Sequence, residues 1–346
     1  MAISLGIAGC AGPQPSLPRP TASVRAPDVL PSSLDVAGSW RAATVEAPDS
    51  ATFKRVADAN GRIAGDRTVW AVAADGSWIP AEAIGANSRW GVIGWRGGFV
   101  DWGQVGTVRT SADGLNWHDA RTGPGEANLS MIIPAGDRLL LIGQGVQTTA
   151  GAWLSDDGST WTEVRGAPAE LWAAASWPGR GIVAAGGSGP GASMWTSADG
   201  SSWRAAAKPM PEAGDPFVSG VGTGPAGVVA IGAVDERPAA WRSTDLGTWT
   251  EAGVAWGRDA FLQSVVNLDG TFVIAGRRSN HPTLWLSRDG VGWMAIDLPI
   301  AAGTDGEAAR AAVVNGTVVA FGYTTHDEAN GGSSRVADLV WTLARP

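Results

Sequence analysis

Ser197-Ala198-Asp199-Gly200-Ser201-Ser202-Trp203 is one of five versions of a single phrase, and the phrase decides the fold. The others are Ser111-Ala112-Asp113-Gly114-Leu115-Asn116-Trp117, Ser155-Asp156-Asp157-Gly158-Ser159-Thr160-Trp161, Ser243-Thr244-Asp245-Leu246-Gly247-Thr248-Trp249 and Ser287-Arg288-Asp289-Gly290-Val291-Gly292-Trp293. Their final tryptophans fall 44, 42, 46 and 44 residues apart, so the chain is an array of near-identical units. Each phrase lies between two short strand-like runs, such as Met194-Trp195-Thr196 before and Trp203-Arg204-Ala205 after, and reads as a hairpin turn. Asp accepts backbone N–H bonds inside such a turn, Gly supplies a position of positive φ, and Ser bonds locally to the backbone.

Working outward, an apolar run ending in glycine precedes each turn: Leu139 to Gly143, Ile182 to Gly186, Val228 to Gly232, Phe272 to Gly276 and Val318 to Gly322. These runs predict central strands buried on both faces. A further strand comes before each, as in Phe217-Val218-Ser219 and Phe261-Leu262-Gln263, which makes four strands per unit. Four strands repeated radially is the signature of a β-propeller. Degenerate copies carry Val69-Trp70 into Asp75-Gly76-Ser77-Trp78, and Gly91-Val92-Ile93-Gly94 into the Asp113 turn. The last copy reaches Val340-Trp341-Thr342 one strand short. Gly38-Ser39-Trp40-Arg41-Ala42-Ala43 matches Ser202-Trp203-Arg204-Ala205-Ala206 and has no unit of its own. The expectation is therefore an all-β, seven-bladed propeller of four-stranded antiparallel blades, closed by the N-terminal strand completing the last blade and so leaving no open edge.

This arrangement accounts for most of the 19 tryptophans. Trp40, Trp78, Trp117, Trp161, Trp203, Trp249 and Trp293 are expected in fourth strands. Trp70, Trp153, Trp195, Trp241, Trp285 and Trp341 are expected in third strands, with Val108 replacing Trp in the second unit.

The turn phrase resembles the Asp-box, or BNR repeat, of sialidases, sortilin-type receptors, xyloglucan-degrading enzymes and photosystem II assembly factors. The resemblance covers about residues 35–346, with one residue fewer between Ser and Trp than the common form. It implies a propeller in which Asp113, Asp157, Asp199, Asp245 and Asp289 sit on peripheral hairpins and serve folding. It does not carry sialidase chemistry over. That chemistry uses three arginines, a Tyr nucleophile helped by Glu, and an Asp acid/base, whereas the one tyrosine here is Tyr323 and Arg62-Ile63-Ala64 stands in place of Arg-Ile-Pro.

Composition narrows the function further. A net charge of −8 and no Lys/Arg-rich stripe disfavour nucleic acid as a partner. No stretch of 18 apolar residues is present. The single cysteine, Cys10, ends Leu5-Gly6-Ile7-Ala8-Gly9-Cys10, which resembles the bacterial lipobox whose cysteine is diacylated after cleavage. Only nine residues, none basic, precede it, as a start codon placed too late would produce. Pro13, Pro15, Pro18, Pro20, Pro27 and Pro31 then make an extended tether. The division expected is 1–9 truncated lipoprotein signal, 10–34 lipid-anchored tether and 35–346 propeller. The location implied is the outer face of the membrane in a bacterial envelope, as a monomer whose only membrane contact is the lipid.

Ligands of propellers meet the face formed by loops joining second to third strands and blade to blade. Here those loops are taken as Trp95 to Gly106, Gly143 to Gly151, Gly186 to Ser193, Ala233 to Ala239, Arg277 to Thr283 and Tyr323 to Asp338, the last being longest. The binding candidates on them and their connectors are Trp95, Asp101, Trp102, Trp172, Trp256, Arg258, Arg277, His281, Tyr323 and His326, with Asp235, Glu236, Arg278, Asp327 and Glu328 as further charges. Consecutive His326-Asp327-Glu328 cannot converge on one ion unaided, so no metal is predicted, nor any cofactor or catalytic residue. The leading expectation is a non-enzymatic binding or scaffolding propeller that recognises an envelope protein or a glycan. A non-sialidase glycoside hydrolase and a membrane-complex assembly factor are the alternatives.

Overall fold

In the computed structural model every repeat folds as a meander of antiparallel strands. The structure describes five strands between residues 40 and 83 by their backbone, and then residues 89–343 apart from 104–105, 115, 146–150, 188–192, 210–213, 215, 255, 258, 315–316 and 328–332. Side chains are described from residue 91, the breaks and 193, 313–317, 326–338 and 343 excepted. The proposed signal and tether, with Cys10, lie outside the described residues.

Seven four-stranded sheets result, six of them made of strands consecutive in the chain. These six, each given from its inner to its outer strand, are as follows. The first is β2–β5 (Ala57–Ala59, Arg62–Ala64, Thr68–Val72, Trp78–Ala83), and the second is β6–β9 (Arg89–Trp95, Gly98–Gly103, Val108–Ser111, His118–Asp119). The third is β10–β13 (Asn128–Ala135, Arg138–Gln144, Ala152–Ser155, Thr162–Glu163), and the fourth is β14–β17 (Leu171–Trp177, Gly181–Gly186, Ser193–Ser197, Arg204–Ala206). The fifth is β18–β21 (Pro216–Gly224, Gly227–Val234, Arg237–Ser243, Thr250–Glu251), and the sixth is β22–β25 (Phe261–Leu268, Thr271–Arg278, His281–Ser287, Met294–Asp297). The remaining sheet joins the two ends of the chain. It places β1 (Trp40–Val45) on the outer edge of β28 (Ser333–Leu343), followed inward by β27 (Thr317–Asp327) and β26 (Asp305–Val314). Trp40 lies opposite Leu343 and Val45 opposite Asp338. The fold is a β-propeller of four-stranded antiparallel blades.

The second strands are buried on both faces, as their continuous apolar runs require. The core is a series of clusters between sheets, each pooling side chains from two neighbours. Trp285 packs with Val229 and Ile231 of the preceding sheet, and Trp341 with Leu284 and Leu298. Trp241, Trp285 and Trp341 are among the largest fully buried side chains, in agreement with their expected place on third strands. The other tryptophan set differs slightly from expectation. Trp117, Trp161, Trp203, Trp249 and Trp293 precede their fourth strands and close the turns. Several of those fourth strands are only two residues long, which leaves little backbone for a foreign strand to pair with.

Neighbouring inner strands are tied together by side chains. Ser176 donates to the Pro134 carbonyl, Thr223 to the Ser176 carbonyl, and Ser264 to the Ala309 carbonyl at 2.9 Å. Because β1 is the only outer strand supplied by the far end of the chain, its removal exposes the whole edge of β28. Deleting residues 1–46 is expected to lower the melting temperature by at least about 5 °C relative to deleting 1–34. Equal melting temperatures would refute the closure. A Trp285→Ala control should cost about 3–5 kcal/mol in either background, read by chemical denaturation.

Candidate functional site

Antiparallel order gives the sheets two ends. One carries the turns between first and second strands together with the repeated Ser–Asp–Trp turns. The other carries the turns between second and third strands and the starts of the inner strands.

At the first end the five Ser–Asp–Trp turns, each a seven-residue box, are self-contained. Ser Oγ accepts the N–H of the residue three positions on, at 2.8 Å for Gly114, Gly158, Gly200, Leu246 and Gly290. The Asp carboxylate accepts amides ahead of it, such as those of Ser159 and Thr160 on Asp157. In four boxes the indole N–H donates to the carbonyl three residues back, for example Trp161 to Gly158 at 3.0 Å. The fourth residue of each box has positive φ, and Leu246 holds it at 60° where the other boxes have glycine. In that box Trp249 donates instead to Ala207. Arginines link successive sheets along this end: Arg96 donates to the carbonyls of Asp137 and Asp156, Arg138 to that of Asp199, and Arg180 to that of Thr244. Bonds to Ser201 hold the Asp199 carboxyl below its ordinary range. For Asp157 and Asp289 burial pushes the other way, but the backbone amides outweigh it and the net shift is downward. Asp245 is lowered by the amides of Thr248 and Gly247. All of this chemistry is consumed in holding turns.

The opposite end is built by the glycines that close the second strands. At each of them the inner strand bulges, with the register shifting between Leu129 and Met131, Leu171 and Ala173, Val218 and Gly220, Leu262 and Ser264, and Ala308 and Arg310. A Cβ on Gly143, Gly186, Gly232, Gly276 or Gly322 would collide with the carbonyl oxygen of Asn128, Glu170, Phe217, Phe261 or Glu307, in that order. Glycine is the residue that admits this approach. Those five carbonyl owners are therefore equivalent positions, one per sheet, at the mouth end of the inner strands.

Two of them are the exposed large hydrophobics of the described structure, Phe217 at 54% and Phe261 at 48%. Trp172, the bulge residue of β14, donates its indole N–H to the Val218 carbonyl at 2.6 Å and stacks on Phe217, with ring centroids 5.7 Å apart. On the other side the Arg277 guanidinium stands 6.0 Å from the Phe261 ring centroid and 3.8 Å from the Glu307 carboxylate. Tyr323, directly opposite Glu307 in the sheet, donates to that carboxylate at 3.4 Å. Trp172, Phe217, Phe261, Arg277, Glu307 and Tyr323 thus form one crescent over four consecutive sheets.

Of the residues expected to bind, Trp172, Arg277 and Tyr323 fall in this crescent. His281 sits nearby, just beyond the Ser279-Asn280 turn. Others do not. Asp101 and Trp102 belong to strand β7 rather than a loop and are 1% and 2% exposed. Asp101 is held by both nitrogens of an Arg109 fork, at 3.2 and 3.0 Å, and Trp102 donates to Ser130. Trp95 ends β6 at the end of the Ser–Asp–Trp turns, under the Arg96 guanidinium. Trp256 is buried against Trp285 and Trp293. These four are packing residues. Arg258 and the side chain of His326 lie outside the described residues. Phe217, Phe261 and Glu307 were missed as site residues because an apolar or paired position on a strand reads as core. The second-strand glycines carried the usable signal, since each marks the mouth residue opposite.

The loops are also shorter than expected. The fifth and sixth sheets turn back in two residues of positive φ, Asp235-Glu236 and Ser279-Asn280. The long Tyr323 segment is an extended hairpin instead of a loop, β27 and β28 pairing as far as Asp327 with Ser333. Among the described residues no three His, Cys, Asp or Glu side chains are grouped to hold a metal ion.

No family model and no curated protein matches the chain. It is similar in fold to solved propellers. YCF48 bound to D1 peptide superposes with a TM-score of 0.62 at 14% identity over 89% of this chain and 96% of that one. A catalytically inactive virginiamycin B lyase from Staphylococcus aureus with quinupristin gives 0.60 at 11% identity over 89% and 99%. The WD40 propeller domain of Doa1 gives 0.58 at 14% over 89% and 98%.

The lowered carboxyls of Asp157, Asp199, Asp245 and Asp289 fix a pH dependence. A depressed folded-state pKa contributes stability that is present above the unfolded value near 3.9 and is lost as pH falls through the folded value. Thermal melts should be flat from about pH 7 to 5 and fall steeply below about pH 4. The double variant Asp157→Asn, Asp199→Asn should show a shallower acid limb, and an unchanged limb would contradict the assignment.

Proposed function

We propose that this chain is a protein-binding propeller that takes a peptide segment of its partner on the crescent at the mouth of the inner strands. The observation that carries this is the pair Phe217 and Phe261, at equivalent positions of adjacent sheets and the exposed large hydrophobics among the described residues. Flanking Arg277 and Glu307 supply polar contacts around them, which is the composition of a binding patch with an aromatic centre and a charged rim. That a propeller of similar fold carries a bound peptide supports the reading. In this account the seven sheets are the blades of one ring, the turns are Asp-boxes of a variant BNR type, and the protein works as a scaffold rather than as an enzyme. Tyr323 and Glu307 are cross-strand neighbours whose bond positions the carboxylate beside Arg277. A glycan is the second class of ligand that exposed rings accommodate.

The same reading places the propeller outside the cytoplasm, held by a lipid on Cys10 through the proline-rich tether. Its support is the Ile7-Ala8-Gly9-Cys10 run and the absence of any further thiol.

Two measurements test these readings. Panning a random phage-displayed peptide library on residues 35–346 should enrich sequences that the Phe217→Ala, Phe261→Ala double variant no longer binds, while its melting temperature stays within about 3 °C of the parent. Enrichment indifferent to both rings would refute the crescent. Mass spectrometry of the protein expressed in a bacterial host from an upstream start should find diacylglycerol on Cys10, and an unmodified, retained Met1 would overturn the anchor.

A further inference from the structure

The repeat itself shows what fits beside Phe261. The five bulges set equivalent residues at one level, Ser130, Trp172, Ser219, Gln263 and Ala309, each two places after the mouth residue of its sheet. At the boundary of the fourth and fifth sheets the bulge residue is an indole. Trp172 stacks on Phe217, the mouth residue of the next sheet, with ring centroids 5.7 Å apart, and donates its N–H to the carbonyl of Val218 at 2.6 Å. One boundary on, the same elements recur without the indole. Phe261 stands where Phe217 stands, Leu262 where Val218 stands, and Ser219 where Trp172 stands. Ser219 is exposed, and its hydroxyl donates to the Ile231 carbonyl within its own sheet. Among the described residues no side chain donates to the Leu262 carbonyl, and the Phe217 and Phe261 rings do not touch each other. The ring partner of Phe261 is the Arg277 guanidinium, which reaches on to Glu307 of the sheet beyond.

Resting on the peptide-binding reading above, we infer that the partner segment presents a tryptophan, which seats over Ser219 between the Phe217 and Phe261 rings and donates its indole N–H to the Leu262 carbonyl. It repeats, from outside the chain, what Trp172 does one boundary earlier. The rings alone accept any flat apolar side chain, and the carbonyl selects one that carries an N–H. Tryptophan joins the largest apolar area to a donor that needs a partner once it is buried. The charges around the two rings set what flanks it. Glu236 lies in the turn of the Phe217 sheet, Asp259 two residues before Phe261, and Glu170 at the mouth of the fourth sheet. Among the described residues none of the three has an ion pair or a side-chain hydrogen bond. Arg277 and Arg278 are engaged by Glu307 and Asp297, so Arg237 beside Glu236 leaves the balance negative. Lys or Arg next to the tryptophan complements that surface.

The probe is the most enriched phage-displayed peptide from panning on residues 35–346, dye-labelled and followed by fluorescence anisotropy. It is expected to carry a tryptophan. Alanine in its place should weaken binding at least about 30-fold, and 1-methyltryptophan, which keeps the rings and loses the donor, about ten-fold. Replacing the flanking Lys or Arg by Gln should weaken binding about three-fold at low salt and less as salt rises. A Ser219→Trp variant supplies the indole from within the chain. Its melting temperature should equal or exceed the parent's, while probe binding falls at least about 30-fold. If that variant does not fold, the 1-methyltryptophan comparison on the parent decides alone. A probe that needs both rings yet carries no tryptophan, tolerates 1-methylation, or binds folded Ser219→Trp as it binds the parent overturns the indole site and leaves the peptide-binding reading standing. Indifference to the Gln replacements overturns the basic flank. A probe indifferent to the Phe217→Ala, Phe261→Ala double variant removes the reading itself.

Discussion

The arrangement at the mouth of the inner strands depends on one steric allowance, the close approach of an inner-strand carbonyl to the glycine that ends the second strand. Gly186, Gly232, Gly276 and Gly322 leave room for the carbonyls of Glu170, Phe217, Phe261 and Glu307, and the inner strand bulges around each contact. A side chain at the glycine would push the two strands apart. The bulge in turn fixes which residue of the inner strand stands at the mouth. The same event repeated from sheet to sheet sets residues from distant parts of the chain in one row. Trp172 reaches Phe217 and Arg277 reaches Glu307 across sheet boundaries because each is delivered to the same level.

The two ends of the sheets divide the labour. The Ser–Asp–Trp turns spend their hydroxyls, carboxylates and most indole N–H groups on their own backbone, and Arg96, Arg138 and Arg180 clip three of them to the preceding sheet. Little polar capacity is left there for a ligand. At the mouth the balance is reversed, with the Phe217 and Phe261 rings exposed. The inter-sheet tryptophans make this division possible by filling the wedges, so that the inner strands hold their spacing.

Much of the architecture was legible in the sequence because its determinants are local and repeat. A turn that needs Asp, a positive φ and a closing Trp writes itself into seven residues, and a strand buried on both faces writes an apolar run. The pairing of Trp40-Arg41-Ala42 with the end of the chain was legible for the same reason, since the orphan segment copies a repeat. The site was less so. Trp102 and Trp256 stood outside the repeat pattern and looked available, yet both fill inter-sheet space. Phe217 and Phe261 looked like core because their exposure depends on where the bulge falls, a matter of register between strands that composition does not encode. Arg277 and Tyr323 were found as chemistry, but only pairing put them on either side of Glu307.

Hydrogen–deuterium exchange of residues 35–346, with and without a saturating peptide obtained by panning, tests the division of labour most directly. The account predicts slowed exchange in the inner-strand starts, residues 217–220, 261–264 and 305–308, and no change in the turns at 111–117, 155–161, 197–203 and 287–293. Protection confined to those turns, with the inner-strand starts unaffected, would contradict it.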